Sequence, residues 1–217
     1  MEFDSGLALL LLPPVGWVVA FVWGALWGSF FNVCIHRIPL YDSVVWPPSR
    51  CPTCGAHIAA YDNLPILSYL VLRGRCRRCR SPFSPRYLLV ELLMALLSTA
   101  LYARFVAHGD MPLPPALMRY IVYFFFTGAL LVLSGIDLDH QLLPDSITWP
   151  AIPLFFMVGR VVGDVTLLDA TIRLVAGYDF IQLLSNGYYY LTGREGLGYG
   201  DSKLLALTAG LLSWKSL

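Results

Sequence analysis

The chain has 217 residues, 57% of them hydrophobic and 13% charged, with a formal net charge of +1 and a mean hydropathy of +0.65. Soluble domains carry about 25% charged residues, so this composition excludes an ordinary water-facing surface and points to a lipid-facing one. The near-neutral total hides an asymmetry: eight of the 15 basic residues (Arg37, Arg50, Arg73, Arg75, Arg77, Arg78, Arg80 and Arg86) lie between the first and second apolar runs.

Basic loops of this kind stay in the cytoplasm. The pattern predicts an all-α polytopic membrane protein of about six transmembrane helices with a small cytoplasmic zinc-ribbon-like insertion. The first apolar run, residues 7–31, is interrupted by Pro13 and Pro14 and exceeds the roughly 20 residues needed to span. It is not a signal peptide in pattern: Glu2 and Asp4 precede it without a basic residue, and no small-residue cleavage site follows. His36 and Arg37, before the terminating Pro39, read as interfacial anchors.

The insertion, residues 40–85, holds Cys51, Cys54, Cys76 and Cys79 as two C-x-x-C pairs 21 residues apart. Two such knuckles supply the four soft ligands of a tetrahedral structural Zn2+, with a gap slightly longer than the usual range of about 15 to 20. Disulfides are the alternative, disfavoured because cytosolic thiols are kept reduced. Cys34 reads as a small buried hydrophobe. The arginines around the second knuckle (Arg73, Arg75, Arg77, Arg78, Arg80) suit anionic lipid headgroups beside a membrane better than nucleic acid.

A second span, residues 87–106, carries Glu91 near its cytoplasmic end, either functional or close enough to pair with Arg86 or reach water. After a turn at Pro112, Pro114 and Pro115, residues 117–136 return the chain to the cytoplasm and deliver Asp137 to the interface. Asp145 with Ser146 suits the N-cap of the next helix. Asp137, between Ile136 and Leu138, has no such role, and desolvation there would raise its pKa. Physical grounds alone do not separate it from Asp139. Residues 147–162 and 171–191 form a hairpin, the return interrupted by Arg173, Asp179, Gln182 and Asn186. A glycine-rich loop, residues 192–201, leads into a sixth apolar run.

The loop ends in Gly198-Tyr199-Gly200-Asp201. Gly198 and Gly200 permit close backbone approach or conformations barred to other residues, and Asp201 projects at a helix start. With Asp137 or Asp139 it can form a pair sharing one proton, one carboxylate activating water and the other protonating a carbonyl. Alone, the four-residue pattern also reads as a glycine turn with a helix N-cap.

Taken together, Gly28 to Asn32 with His36 to Pro39, Ser49 to Cys54, Tyr61 to Pro65, Leu72 to Cys79, Arg86-Tyr87 with Val90 to Leu92, Ile136 to Asp145, and Gly196 to Leu205 resemble the prepilin leader peptidase family. These are bacterial membrane aspartic proteases of the G-x-G-D type. The resemblance implies Asp137 and Asp201 as the catalytic pair, removal of the basic leader from type IV prepilins or type II secretion pseudopilins after a glycine, and an inner-membrane location with the active site facing the cytoplasm. It also implies N-methylation with S-adenosylmethionine, although no glycine-rich methyl-donor loop is visible.

The implied organisation is residues 1–39 as first span and N-terminal motif, 40–85 as the four-cysteine insertion, and 86–217 as the peptidase core. The 217 − 201 = 16 residues after Asp201 would make about 24 Å of helix against a hydrocarbon core of roughly 30 Å, so that core reads as C-terminally shortened. Asp179 departs from the family pattern, where an apolar residue is expected. The alternatives are an inactive membrane scaffold of the same fold and a proton-coupled transporter, the latter lacking the expected internal repeats.

Overall fold

Pro14 sets the start of the first long helix and Ile38-Pro39 its end, because proline cannot continue a helical hydrogen-bond ladder. Between them runs α1 (Val15–Arg37) in the computed structural model, which describes residues 13–163, 166–193 and 199–211. The insertion then contains only a short helix α2 (Leu67–Val71) and two single turns, Ile38–Leu40 and Ala60–Asn63. It is followed by α3 (Arg86–Tyr102), which relaxes into a π turn over Ala103–Ala107, and α4 (Leu113–His140). The remaining elements are α5 (Asp145–Gly163), α6 (Leu167–Thr192) and α7 (Tyr199–Leu211). Among the described residues the only extended pairings are two isolated bridges.

Three helices are long and apolar enough to cross a membrane: Val15–Leu40, Arg86–Ala107 and Leu113–His140. The other three expected spans are helical, but among the described residues they do not join this set. α5 contains Pro150 and Pro153, α6 carries Asp169, Arg173 and Asp179, and α7 is described over 13 residues that include Asp201 and Lys203. Among the described residues three of the six expected spans therefore meet this measure, since charge and proline lower the hydropathy of the later helices.

The chain divides into two compact units, Met1–His140 and Gln141–Leu217. In the first, α1 packs along α3 and α4. Lipid tails offer no hydrophobic drive between helices, so close approach through small residues supplies the contact. A Cβ added at Gly24 would lie 2.6 Å from the Met94 carbonyl oxygen, and one at Gly28 would lie 2.8 Å from the Glu91 Cα. That small-xxx-small pair sets an antiparallel α1–α3 register, fastened by Ser98, whose hydroxyl donates to the Ala20 carbonyl at 2.6 Å and lies 2.7 Å from the Tyr120 hydroxyl. Asn32 fixes the far end, donating to the Tyr87 carbonyl at 3.0 Å. On α4, Gly128 and Gly135 receive Phe31 and Ile35 of α1. Cys34 is buried here, as expected.

In the second unit, α7 packs on α5 and α6, and Thr148, Ala151, Phe155, Ala170, Ser202, Ala206 and Leu207 are buried.

Candidate active site and metal centre

The two cysteine knuckles are copies of one backbone design. Cys51 N–H donates to the Ala56 carbonyl and Gly55 N–H to that of Cys51, both at 2.9 Å; Cys76 N–H donates to Ser81 at 2.9 Å and Arg80 N–H to Cys76 at 3.0 Å. Each knuckle is closed by one bridge, Arg50 with His57 and Arg75 with Pro82. Both turns need a left-handed residue after the second cysteine, supplied by Gly55 (φ +67°) and by Arg80 (φ +61°). Repeating the turn brings the four thiols together, their sulfurs within 4.8 Å of one another.

This donor set fits a metal ion. Tetrahedral Zn–S bonds of about 2.3 Å place sulfurs about 3.8 Å apart, and Cys51 Sγ lies 3.8 Å from Cys79 Sγ. All four cysteines are free thiols. Hydrogen bonds from the Cys54 backbone and the Ser81 hydroxyl pull Cys51 down to about 6, and Ser81, 3.1 Å away, also lowers Cys79. At Cys54 a lowering contact from the Ala56 backbone is outweighed by desolvation and the sulfurs of Cys79, Cys51 and Cys76, which push it up to about 11. Crowded thiolates resist full ionisation, and a central dication relieves that repulsion.

The insertion is tied together and to the bundle by two carboxylates. Asp62 accepts a two-pronged contact from Arg77, Nη2 to Oδ1 at 2.6 Å and Nε to Oδ2 at 2.8 Å. That guanidinium holds the Asp62 carboxyl below its usual range and lies 5.6 Å from the Tyr61 ring centroid. Glu91 was expected either to be functional or to pair with Arg86 or reach water. It is buried, which rules out the exposed alternative, and accepts the Ile66 N–H at 2.7 Å, with Ile66 at a positive φ of +63°.

Arg86 turns to α4. Its Nη1 pairs with Asp139, and its Nη2 donates to the Gly135 carbonyl at 2.7 Å. Asp139 is thereby engaged, whereas Asp137, two residues away, is exposed on α4. Within its own unit the apolar neighbours do not enclose the Asp137 carboxylate: Ile136 is buried, but Leu138 is 83% exposed. Arg86 was absent from the expected site residues.

Asp201 is exposed in the first turn of α7. Gly200 is needed for packing, since a Cβ there would lie 2.6 Å from Leu143 Cδ1. Next to Leu143, Pro144 accepts the Ile147 and Thr148 amides at 3.1 and 3.2 Å. Asp145 opens α5 and pairs with Lys203 of α7, whose ammonium lies 5.9 Å from the Trp149 ring centroid. The Leu143-Pro144-Asp145 and Gly200-to-Lys203 segments are thus brought together within one unit. Asp137 belongs to the other unit, and Gly198 lies outside the described residues.

Residues 22–105 match the bacterial peptidase A24 N-terminal domain, and residues 124–217 match the type IV leader peptidase family. A prepilin leader peptidase/N-methyltransferase of Aeromonas hydrophila is 40% identical over 97% of the chain and 80% of its own length. Proteins of the same name from Burkholderia pseudomallei (strain K96243) and Klebsiella pneumoniae are 35% and 38% identical, over 97% and 96% of the chain and 74% and 93% of their lengths. No solved structure is significantly similar. With these matches and its three apolar helices, the chain belongs to the type IV leader peptidase family, as an integral membrane peptidase.

Proposed function

We propose that this peptidase removes the basic leader from type IV prepilins or type II secretion pseudopilins, cutting after a glycine at the cytoplasmic face of a bacterial inner membrane with Asp137 and Asp201. The observation that carries the reading is that both aspartates stand exposed on helix-end turns whose neighbours are tied down, Asp139 by Arg86 and Gly200 by Leu143. The ionised carboxylate takes a proton from water as its oxygen attacks the scissile carbonyl. The protonated partner gives its proton to that carbonyl oxygen. As the tetrahedral adduct collapses, the proton taken from water passes to the leaving nitrogen and the C–N bond breaks.

In this reading Zn2+ at Cys51, Cys54, Cys76 and Cys79 is structural, since four protein ligands leave no open position for water. The exposed Arg73, Arg75, Arg78 and Arg80 suit anionic lipid headgroups. N-methylation with S-adenosylmethionine is supported by the relatives' names.

The test is cleavage of full-length prepilin in liposomes by the parent, Asp137→Asn and Asp201→Asn. Each variant should lose roughly a thousandfold or more in rate while keeping its helical content and bound metal. Cleavage near the parental rate in either variant would remove that residue from the catalytic pair.

A further inference from the structure

We infer that Arg86 is a positioning residue for Asp137, an inference that rests on the catalytic reading of Asp137 given above. Arg86 is the first residue of α3 and Asp139 lies in the last turn of α4. Each charge opposes the dipole of its own helix, where a cation at the N-terminus and an anion at the C-terminus are both unfavourable. Helix stability therefore does not account for either residue. Their ion pair does, and it joins the two helices at one end of the bundle.

The guanidinium also reaches the Gly135 carbonyl at 2.7 Å. Gly135 and Asp139 are four apart and share one face of α4. Asp137 falls two residues from each, about 200° around the helix, on a face left exposed. Ile35 of α1 packs against Gly135, where a Cβ would lie 2.6 Å from Ile35 Cδ1. The turn bearing Asp137 is consequently clamped by α1 and α3 on its far side. A helix-end turn without such partners frays, because its last carbonyls have no intrahelical donors. Arginine is required because its planar fork serves two acceptors at once, whereas lysine is a point charge.

The clamp also ties the site to the insertion. The Ser84 hydroxyl accepts the Arg86 N–H at 3.3 Å, so the residues that close the second knuckle lead directly into the positioning residue.

The experiment is prepilin cleavage in proteoliposomes by Arg86→Lys, Arg86→Ala, Asp139→Asn and the double variant Arg86→Ala/Asp139→Asn. Rates are taken per folded molecule, with unfolding midpoints measured in parallel. Arg86→Ala should lower kcat about ten- to a hundredfold, the scale of an ångström-sized misplacement, with KM within about twofold. Arg86→Lys should fall between Arg86→Ala and the parent. The double variant should be no worse than Arg86→Ala, because both changes break one contact. Millimolar guanidinium should restore part of kcat in Arg86→Ala alone.

A kcat per folded molecule within about twofold of the parent in Arg86→Ala, or losses that multiply in the double variant, would overturn the inference. If Arg86→Ala does not fold, Arg86→Lys and Asp139→Asn decide: a parental kcat in both overturns it, and reduced kcat at unchanged KM supports it. Active Asp137→Asn sinks the catalytic reading and this inference together. Inactive Asp137→Asn beside fully active Arg86→Ala sinks this inference alone.

Discussion

The helix bundle and the cysteine insertion are held by opposite means within one unit. In the bundle, Gly24 and Gly28 bring backbones into contact, and buried polar groups such as Ser98 and Glu91 are each given a partner. Val18, Leu26, Leu89 and Leu96 remain exposed on the outside, where lipid is the solvent. In the insertion almost nothing apolar is buried beyond Cys51 and Cys76. A segment of about 45 residues without a core needs a staple, and the four clustered thiols could supply it by holding a metal. Water penalises exposed apolar surface, whereas lipid penalises unpaired backbone and polar groups; each region answers the penalty it faces.

The comparison breaks most severely at the metal. Cys51→Ser, or chelation of the parent, should abolish metal binding and unfold the insertion, since apparent binding energies of structural zinc reach about 10 kcal/mol in small domains. Limited proteolysis across residues 40–85 should become rapid while the three long helices persist by circular dichroism. Loss of those helices would mean that the bundle depends on the insertion for its fold.

The reciprocal change is Gly24→Leu, which places a side chain where even a Cβ meets the Met94 carbonyl at 2.6 Å. Overpacking of this kind should destabilise the bundle by about 1–3 kcal/mol, read as a lower unfolding midpoint with metal content unchanged. An unchanged midpoint would show that α1 and α3 are not held by close approach.

A smaller effect sharpens the likeness between the knuckles. Arg80 occupies the left-handed position that Gly55 fills in the first copy, and a non-glycine residue there is strained by roughly 1 kcal/mol. Arg80→Gly should slow metal release without altering cleavage; faster release would show that the arginine side chain contributes more than its backbone strain removes.

The smallest effect concerns acid. Asp62 is held below its usual range by Arg77, so its folded-state pKa is depressed. Its contribution is complete above the unfolded value, about 3.9, and is lost as pH falls through the lower folded value. Asp62→Asn should flatten the acid limb of insertion stability below about pH 4, followed by metal retention in acid. An acid limb identical to the parent's would assign it to protonation of the thiolates alone.

Composition and hydropathy were enough to identify the three long helices, because a lipid-facing helix must be apolar along its whole length. Cysteine spacing was enough to identify the four thiols that come together and could hold a metal, because a C-x-x-C knuckle is local geometry. The same reasoning expected spans at α5, α6 and α7, which are helical but, among the described residues, less apolar because of Pro150, Pro153 and Asp179. The surroundings of Asp137 were not legible in the same way, because neighbours in sequence do not reveal which face of a helix is covered.

Residue types and their order determined by themselves the helical class, the cysteine set and the candidate aspartates, all of which depend on local chemistry or spacing. Only the tertiary structure decided that Glu91 holds Ile66, that Arg86 holds Asp139 and Gly135, and that Gly200 lies under Leu143. Each of these joins residues 25 to 57 positions apart. A buried carboxylate or a glycine states what partner it requires, but the packing of helices chooses which one it receives.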